Sequence, residues 1–134
     1  MRRKLPWTNE RHDWFYSDSY RTAANIGLDY EWFGKDEGQC RAAAAIQEYL
    51  LEDCRKNSYH AYEVDGGVAE EQALHPVAIS AATAVAVLAA SADSSREWVE
   101  RFWRLPMRTG KRRYYDNCLY FFAFLALSGN YRIW

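Results

Sequence analysis

The sequence predicts an all-α fold, an incomplete sector of an α/α toroid, and three observations carry that expectation. Five segments have helical length and period; they alternate between apolar on every side and amphipathic; and extended pieces are confined to the lead and one long connection. Antiparallel helix pairs with one member inside and one outside build a toroid or a solenoid, whose inner helices run parallel beneath the outer ones. No solenoid-type sequence repeat underlies the alternation. A toroid closes with about a dozen helices. With five, three inner helices would keep bare apolar flanks, so the chain is expected to be part of a larger fold or to associate.

The lead, Met1 to Tyr16, is polar and aromatic, and Pro6 discourages helix there. Helix one, Ser17 to Phe33, spreads Tyr20, Ala23, Ala24, Ile26, Leu28, Tyr30, Trp32 and Phe33 around its whole circumference, so burial on every side is expected. Gly34 ends it as the residue that tolerates a left-handed C′ position. Helix two, Asp36 to Lys56, is amphipathic, with Ala42, Ile46, Tyr49 and Leu50 on one side and Gln47, Glu48, Glu52, Arg55 and Lys56 mostly on the other. The connection Asn57 to His75 carries the turn signal Asp65-Gly66-Gly67 between short extended pieces.

Pro76 suits the first turn of helix three, which runs to about Ser91 and is made of small apolar residues all round, as close neighbours would require. Helix four opens with Ser94 and Glu97 in capping-box spacing and sets Trp98, Val99, Phe102 and Trp103 against Arg96, Glu100, Arg101 and Arg104. After the loop Leu105 to Arg113, helix five, Tyr115 to Ser128, is again apolar on every side until Gly129 stops it.

Composition narrows the function. With 134 residues, 49% apolar and 16% aromatic, there is material for one domain's core and no sign of disorder. A net charge of -1 argues against nucleic acid, and the basic cluster Arg108 to Arg113, beside Tyr114 and Tyr115, reads as a solvated loop. No stretch reaches the roughly 18 uninterrupted apolar residues of a membrane span; Val77 to Ala90 is broken by Ser80 and Thr83. The basic N-terminus lacks the apolar region of a signal peptide. Cys40, Cys54 and Cys118 are odd in number and lack metal-ligand spacing, so free thiols in a reducing, cytoplasmic compartment are expected, with no metal and no cofactor.

Asp18 is the first candidate for chemistry. Flanked by Ser17 and Ser19, it suits a helix N-cap; the same amides and dipole, with Arg21 three residues on, would also hold a general base ionised. Spacing leaves both readings open. If helices one, three and five are parallel, their starts share a rim, which gathers Asp18, Arg21, His75, Arg113, Tyr114, Tyr115 and Asp116. Aromatic platforms beside carboxylates suit sugars, whose C–H faces stack while their hydroxyls need polar partners.

From about Asp13 onward the chain resembles glycoside hydrolase family 8, in its branch of reducing-end xylose-releasing exo-oligoxylanases. The resemblance lies in FYSDSYRTAANIGLDYEWF, LHPVAISAATAVAVLAAS and EWVERFWRLPMRTGKRRYYDNCLYFFAFLALSGNYRIW. It implies the C-terminal third of a single (α/α)6 barrel, residues 1–134 being a portion of that domain and not all of it. It also implies an inverting hydrolase of short xylooligosaccharides, possession of the base, and an N-terminal polypeptide as the partner completing the barrel.

By the same resemblance Asp18 takes the place of the general base and Arg21 that of the arginine orienting it. His75 takes the place of the histidine closing the reducing-end side of the cleft, and Tyr114, Tyr115 and Asp116 that of a tyrosine-rich binding rim, with Arg113 a further substrate-binding candidate beside them. Ser17 stands where many members carry an aromatic. Inversion needs an acid and a base about 6.5 to 9.5 Å apart. The family's acid lies in its N-terminal part, and within this chain Asp29, Glu31, Glu63 and Asp65 offer no favourable context for one. A helical interaction module with no catalysis is the other class the sequence permits, Asp18 then being a cap.

Overall fold

A computed structural model describes residues 13–34 and 36–132. Five α-helices, α1 (Arg21–Trp32), α2 (Glu37–Lys56), α3 (Pro76–Val85), α4 (Ser95–Arg104) and α5 (Arg113–Leu127), are joined by three short strands, β1 (Trp14–Phe15), β2 (His60–Glu63) and β3 (Val68–Gln72). Single 3-10 turns precede α1, at Ser17–Tyr20, and follow α3, at Ala86–Leu88. Most of the expected lead, with Ile133 and Trp134 of the tail, lies outside the described residues.

The chain is therefore helical without being wholly α. The strands form one antiparallel sheet in the order β1-β2-β3, pairing Phe15 with Tyr62 and Tyr62 with Val68 across an irregular register. The signal Asp65-Gly66-Gly67 makes the hairpin: Gly66 adopts φ +94°, and the Glu63 amide donates to the Gly67 carbonyl at 2.7 Å. A sequence that marks only extended pieces does not name their partner, and here the lead supplies it.

α3 is the centre of the packing. Every residue from Val77 to Val85 is buried, with α1 and α5 on its two sides and α2 and α4 against it from behind. Small side chains allow that approach, and Gly27 carries it furthest: a Cβ there would stand 2.2 Å from the Val85 carbonyl oxygen. The core around α3 includes Tyr20, Leu50, Tyr62, Ile79, Trp98 and Phe102.

Two of the three helices expected to be buried all round are buried on one side only. In α1 only Ala23 and Gly27 are fully buried, while Thr22, Asn25, Asp29 and Glu31 are exposed. In α5 only Asp116, Ala123 and Ala126 are buried, and Phe121, Phe122 and Phe124 are 56, 46 and 43% exposed. Periodicity records how much of a helix is apolar; what covers it depends on neighbours, and among the described residues α1 packs on α3 and α2, and α5 chiefly on α3, which leaves the remaining face of each exposed.

Three local expectations also change. Gly34 is not left-handed; a Cβ there would lie 2.5 Å from the Tyr30 Cα, so close approach requires the glycine. Gln47 is fully buried, its Nε2 donating to the Thr83 carbonyl at 2.9 Å, because α2 turns Ala43, Gln47, Leu50 and Cys54 inward. Ser94 makes no capping hydrogen bond and Glu97 reaches no amide; Glu97 instead binds Arg55 and Arg101, at 2.8 and 2.8 Å. Two guanidinium partners outcompete one serine amide for a carboxylate. Gly129 does stop α5 at φ +74°, with the Asn130 amide returning to the Leu125 carbonyl at 2.9 Å.

Candidate active site

The first turns of three helices meet at one end of the molecule. The Tyr115 hydroxyl, at the start of α5, donates to the Ser17 carbonyl ahead of α1 at 3.0 Å, and the Tyr115 ring lies against His75, at the start of α3, with centroids 4.7 Å apart. Residues 98 positions apart in sequence are joined by that bond. Packing α1 and α5 on α3 brings about the junction.

Asp18 stands in the 3-10 turn, 78% exposed, with Arg21 Nη2 at 3.2 Å from its Oδ1 and Arg21 Nε donating to its backbone carbonyl at 3.3 Å. The turn has no side-chain cap, so the structure does not use this carboxylate as an N-cap. Ser17, one residue earlier, takes φ +53°, an uncommon conformation for a residue with a Cβ, and the Tyr115 hydroxyl holds its carbonyl. Burial, then the nearby Asp18 charge, push the Tyr115 hydroxyl pKa up, so it stays a protonated donor beside the carboxylate.

Asp116 behaves differently from what a rim residue would do. It is fully buried, accepts from the Ala78 amide in the first turn of α3 at 2.8 Å and from Arg108 Nη1 at 2.7 Å, and shares a 2.8 Å hydrogen bond with His75 Nδ1. Its carboxylate thus satisfies an amide that α3 leaves unpaired, where the helix dipole favours negative charge. Sequence reasoning placed Asp116 among groups that face a ligand; in the structure its partners are protein groups.

Arg108 corrects the solvated reading of its loop. It is 25% exposed, and besides Asp116 it reaches the Leu74 carbonyl at 2.5 Å, while Asn117 brackets its backbone through bonds of 2.9 Å to amide and carbonyl. Within a run of basic residues the sequence offered no signal that this one turns inward. Arg113 and Tyr114 turn the other way: Arg113 bonds the Gly110 carbonyl, Tyr114 is 81% exposed, and both line a depression with Lys111, Asn117, Cys118 and Phe121. The structure brings together Asp18, Arg21, Tyr115 and His75, with Asp116 behind, and leaves Arg113 and Tyr114 outside.

Two of the alternative acids, Asp29 and Asp65, are accounted for in the same terms. Asp29 is exposed and bonded to Gln39 Nε2, and Asp65 Oδ1 accepts from the Gly67 amide at 3.0 Å within its turn. A cavity of about 660 Å³ between α2 and α4, lined by Arg55, Arg96, Glu97 and Arg101 among others, includes none of the residues gathered here. Among the described residues no cluster of His, Cys, Asp or Glu could hold a metal, and no helix is long and apolar enough to cross a membrane.

One end of the helical layer thus carries an exposed carboxylate paired with an arginine, next to a tyrosine and a histidine. The chain is 52% identical over 120 residues to Reducing-end xylose-releasing exo-oligoxylanase Rex8A of Paenibacillus barcinonensis, covering 90% of this chain and 31% of that protein. It is 50% identical over 135 residues to the Reducing end xylose-releasing exo-oligoxylanase of Bifidobacterium adolescentis, covering 95% and 35%. Among solved structures, Rex8A complexed with xylose superposes with a TM-score of 0.90 at 47% identity, covering 98% of this chain and 34% of that one. No family model matches. The chain is a homologue of these exo-oligoxylanases and spans about a third of their length.

Proposed function

We propose that this chain is the base-bearing, C-terminal portion of the (α/α)6 barrel of an inverting family 8 glycoside hydrolase that releases xylose from the reducing end of short xylooligosaccharides. The observation that carries the proposal is the junction of Asp18–Arg21, Tyr115 and His75 across almost the whole chain, in a protein about half identical to enzymes named for that activity. Asp18 is the base: exposed to the space where water and sugar would lie, and oriented by Arg21 to take a proton from water. His75 and Tyr115 bind the sugar, the tyrosine ring offering a stacking face. Arg113 and Tyr114, on the flank, contact substrate only where the remaining barrel folds the cleft toward them.

The general acid comes from outside these residues, on a polypeptide completing the barrel and covering the open sides of α1 and α5. The aromatic exposure of Phe121, Phe122 and Phe124 supports such a covering partner. It also supports the second reading, an interaction module without catalysis. The three thiols, free in the structure, fit a reducing, cytoplasmic setting.

Hydrolysis of xylotriose, followed by NMR for product and anomeric configuration, separates the readings. The chain alone is expected to be inactive or nearly so, and its mixture with the N-terminal two-thirds of a related enzyme to release xylose with inversion. Asp18→Asn should abolish that release. Release by the chain alone would show that it holds its own acid; silence in the mixture, with a defined oligomer, would favour the interaction module.

A further inference from the structure

We infer that Asp116, with Arg108, is a positioning residue that locks His75 in its Nδ1–H form, so that Nε2 is offered at the rim as a hydrogen-bond acceptor. Three groups converge on the Asp116 carboxylate. Two of them, the Ala78 amide at 2.8 Å and Arg108 Nη1 at 2.7 Å, can only donate. The amide occupies Oδ1 and the guanidinium Oδ2, so the carboxylate is ringed by donors and acts as their acceptor. The 2.8 Å contact from His75 Nδ1 to the same Oδ2 therefore requires the hydrogen to be on Nδ1. The tautomer of a histidine follows from the bond its other nitrogen makes, and here that leaves the lone pair on Nε2.

The ring is held on more than this bond. Tyr115 lies against its face at 4.7 Å, Pro76 fixes the backbone that follows, and Arg108 grips the Leu74 carbonyl before it at 2.5 Å. A flip of the imidazole would set a carbon against the carboxylate and lose the bond. The His75 side chain is 12% exposed, and Nε2 has no hydrogen-bond partner among the described residues. A buried carboxylate, a buried amide and an inward arginine thus converge on a single outward acceptor. Such an acceptor suits a group that donates, such as a sugar hydroxyl, and discriminates against one that cannot. That ligand class rests on the function proposed above; the tautomer does not.

One solved relative is a double mutant of Rex8A in which neighbouring leucine and histidine are replaced, and this chain has one adjacent leucine–histidine pair, Leu74 and His75. The clamp from Arg108 and Asp116 closes on both.

Long-range proton–nitrogen NMR on the full chain with labelled histidine tests the inference, at a pH of about 8.5 where an ordinary imidazole is neutral. The chain has three histidines, and His75→Gln assigns the signals by their loss. His75 is expected to show a protonated Nδ1 and a bare Nε2. Asp116→Ala, which removes the acceptor, should release His75 to the Nε2–H form or to averaging between forms and leave the other histidines unchanged. A His75 found as Nε2–H, or averaged between forms, in the unaltered chain overturns the inference without reference to any variant; so does an Nδ1–H form that persists in folded Asp116→Ala. Xylotriose added to the complemented mixture then tests the ligand separately: a shift of the Nε2 resonance supports its place in the cleft. An Nδ1–H ring that ignores xylotriose, in a mixture that hydrolyses it, keeps the positioning and removes His75 from the sugar.

Discussion

Two aspartate–arginine pairs occupy the same end of the molecule, and they share little beyond their chemistry. Asp18 and Arg21 are one helical turn apart in sequence, 3.2 Å apart in space and 78 and 54% exposed. Asp116 and Arg108 come from a helix and the loop before it, lie 2.7 Å apart and are 0 and 25% exposed. Helix pitch alone brings the first pair together, in water that weakens it to at most about 1 kcal/mol. The second pair exists only because α5 packs on α3, and desolvation makes each of its members depend on the other. The carboxylate with most partners serves the protein, and the one left open is available to a ligand. Partner number and exposure run in opposite directions here.

The largest effect should follow from breaking the buried pair. Asp116→Ala strands Arg108, the Ala78 amide and His75 Nδ1 together, and loss of about 3 to 5 kcal/mol is expected, read as a lower denaturant midpoint. That is a large share of a small domain's stability. A loss under about 1 kcal/mol would mean that Asp116 is no more embedded than Asp18. Arg108→Gln leaves the carboxylate its two other donors and should cost less, about 1 to 3 kcal/mol in the same titration.

Asp18→Asn inverts the pattern. Stability should change by no more than about 0.5 kcal/mol, as for an exposed substitution, while xylose release by the complemented enzyme falls by at least about a hundredfold if Asp18 is the base. A marked stability loss would show that the open pair is a fold element after all.

The smallest effect concerns Glu97, a third carboxylate between the two extremes. Hydrogen bonds from Arg55, then Arg101, lower its pKa to about 2. Its pKa is below the unfolded value, so its contribution is complete above about pH 4.5 and is lost as pH falls toward 2. On an outer, partly exposed surface that contribution is under about 1 kcal/mol. Glu97→Gln should flatten the acid limb of a stability-against-pH curve by that amount, and an unchanged limb would mean that the paired geometry contributes nothing in solution.

Much of the fold was legible. Helix number and type, the proline opening α3, the glycine closing α5 and the hairpin turn depend on local backbone preference, which a short window contains. Helix burial was less so. α3 is covered as its small residues suggested, but α1 and α5 keep an open side, and the apolar Phe121, Phe122 and Phe124 alone cannot say whether this chain covers them. At the candidate site, the Asp18–Arg21 contact was legible from their spacing, and the meeting of His75 with Tyr115 from the shared rim expected of the helix starts. Arg108 was not, because a charge run looks the same whether its members face water or a buried carboxylate.

The sequence by itself determined the helices, their order, and the exposed Asp18–Arg21 pair, since each follows from residues within a turn or two of one another. Only the tertiary structure decided that Tyr115 would hold Ser17, that Asp116 would vanish beneath His75, and that Arg108 rather than Arg113 would turn inward. Those outcomes depend on which faces meet when α5 docks on α3, and burial, which sets the strength of every charge involved, is a property of the assembled packing and not of any single segment.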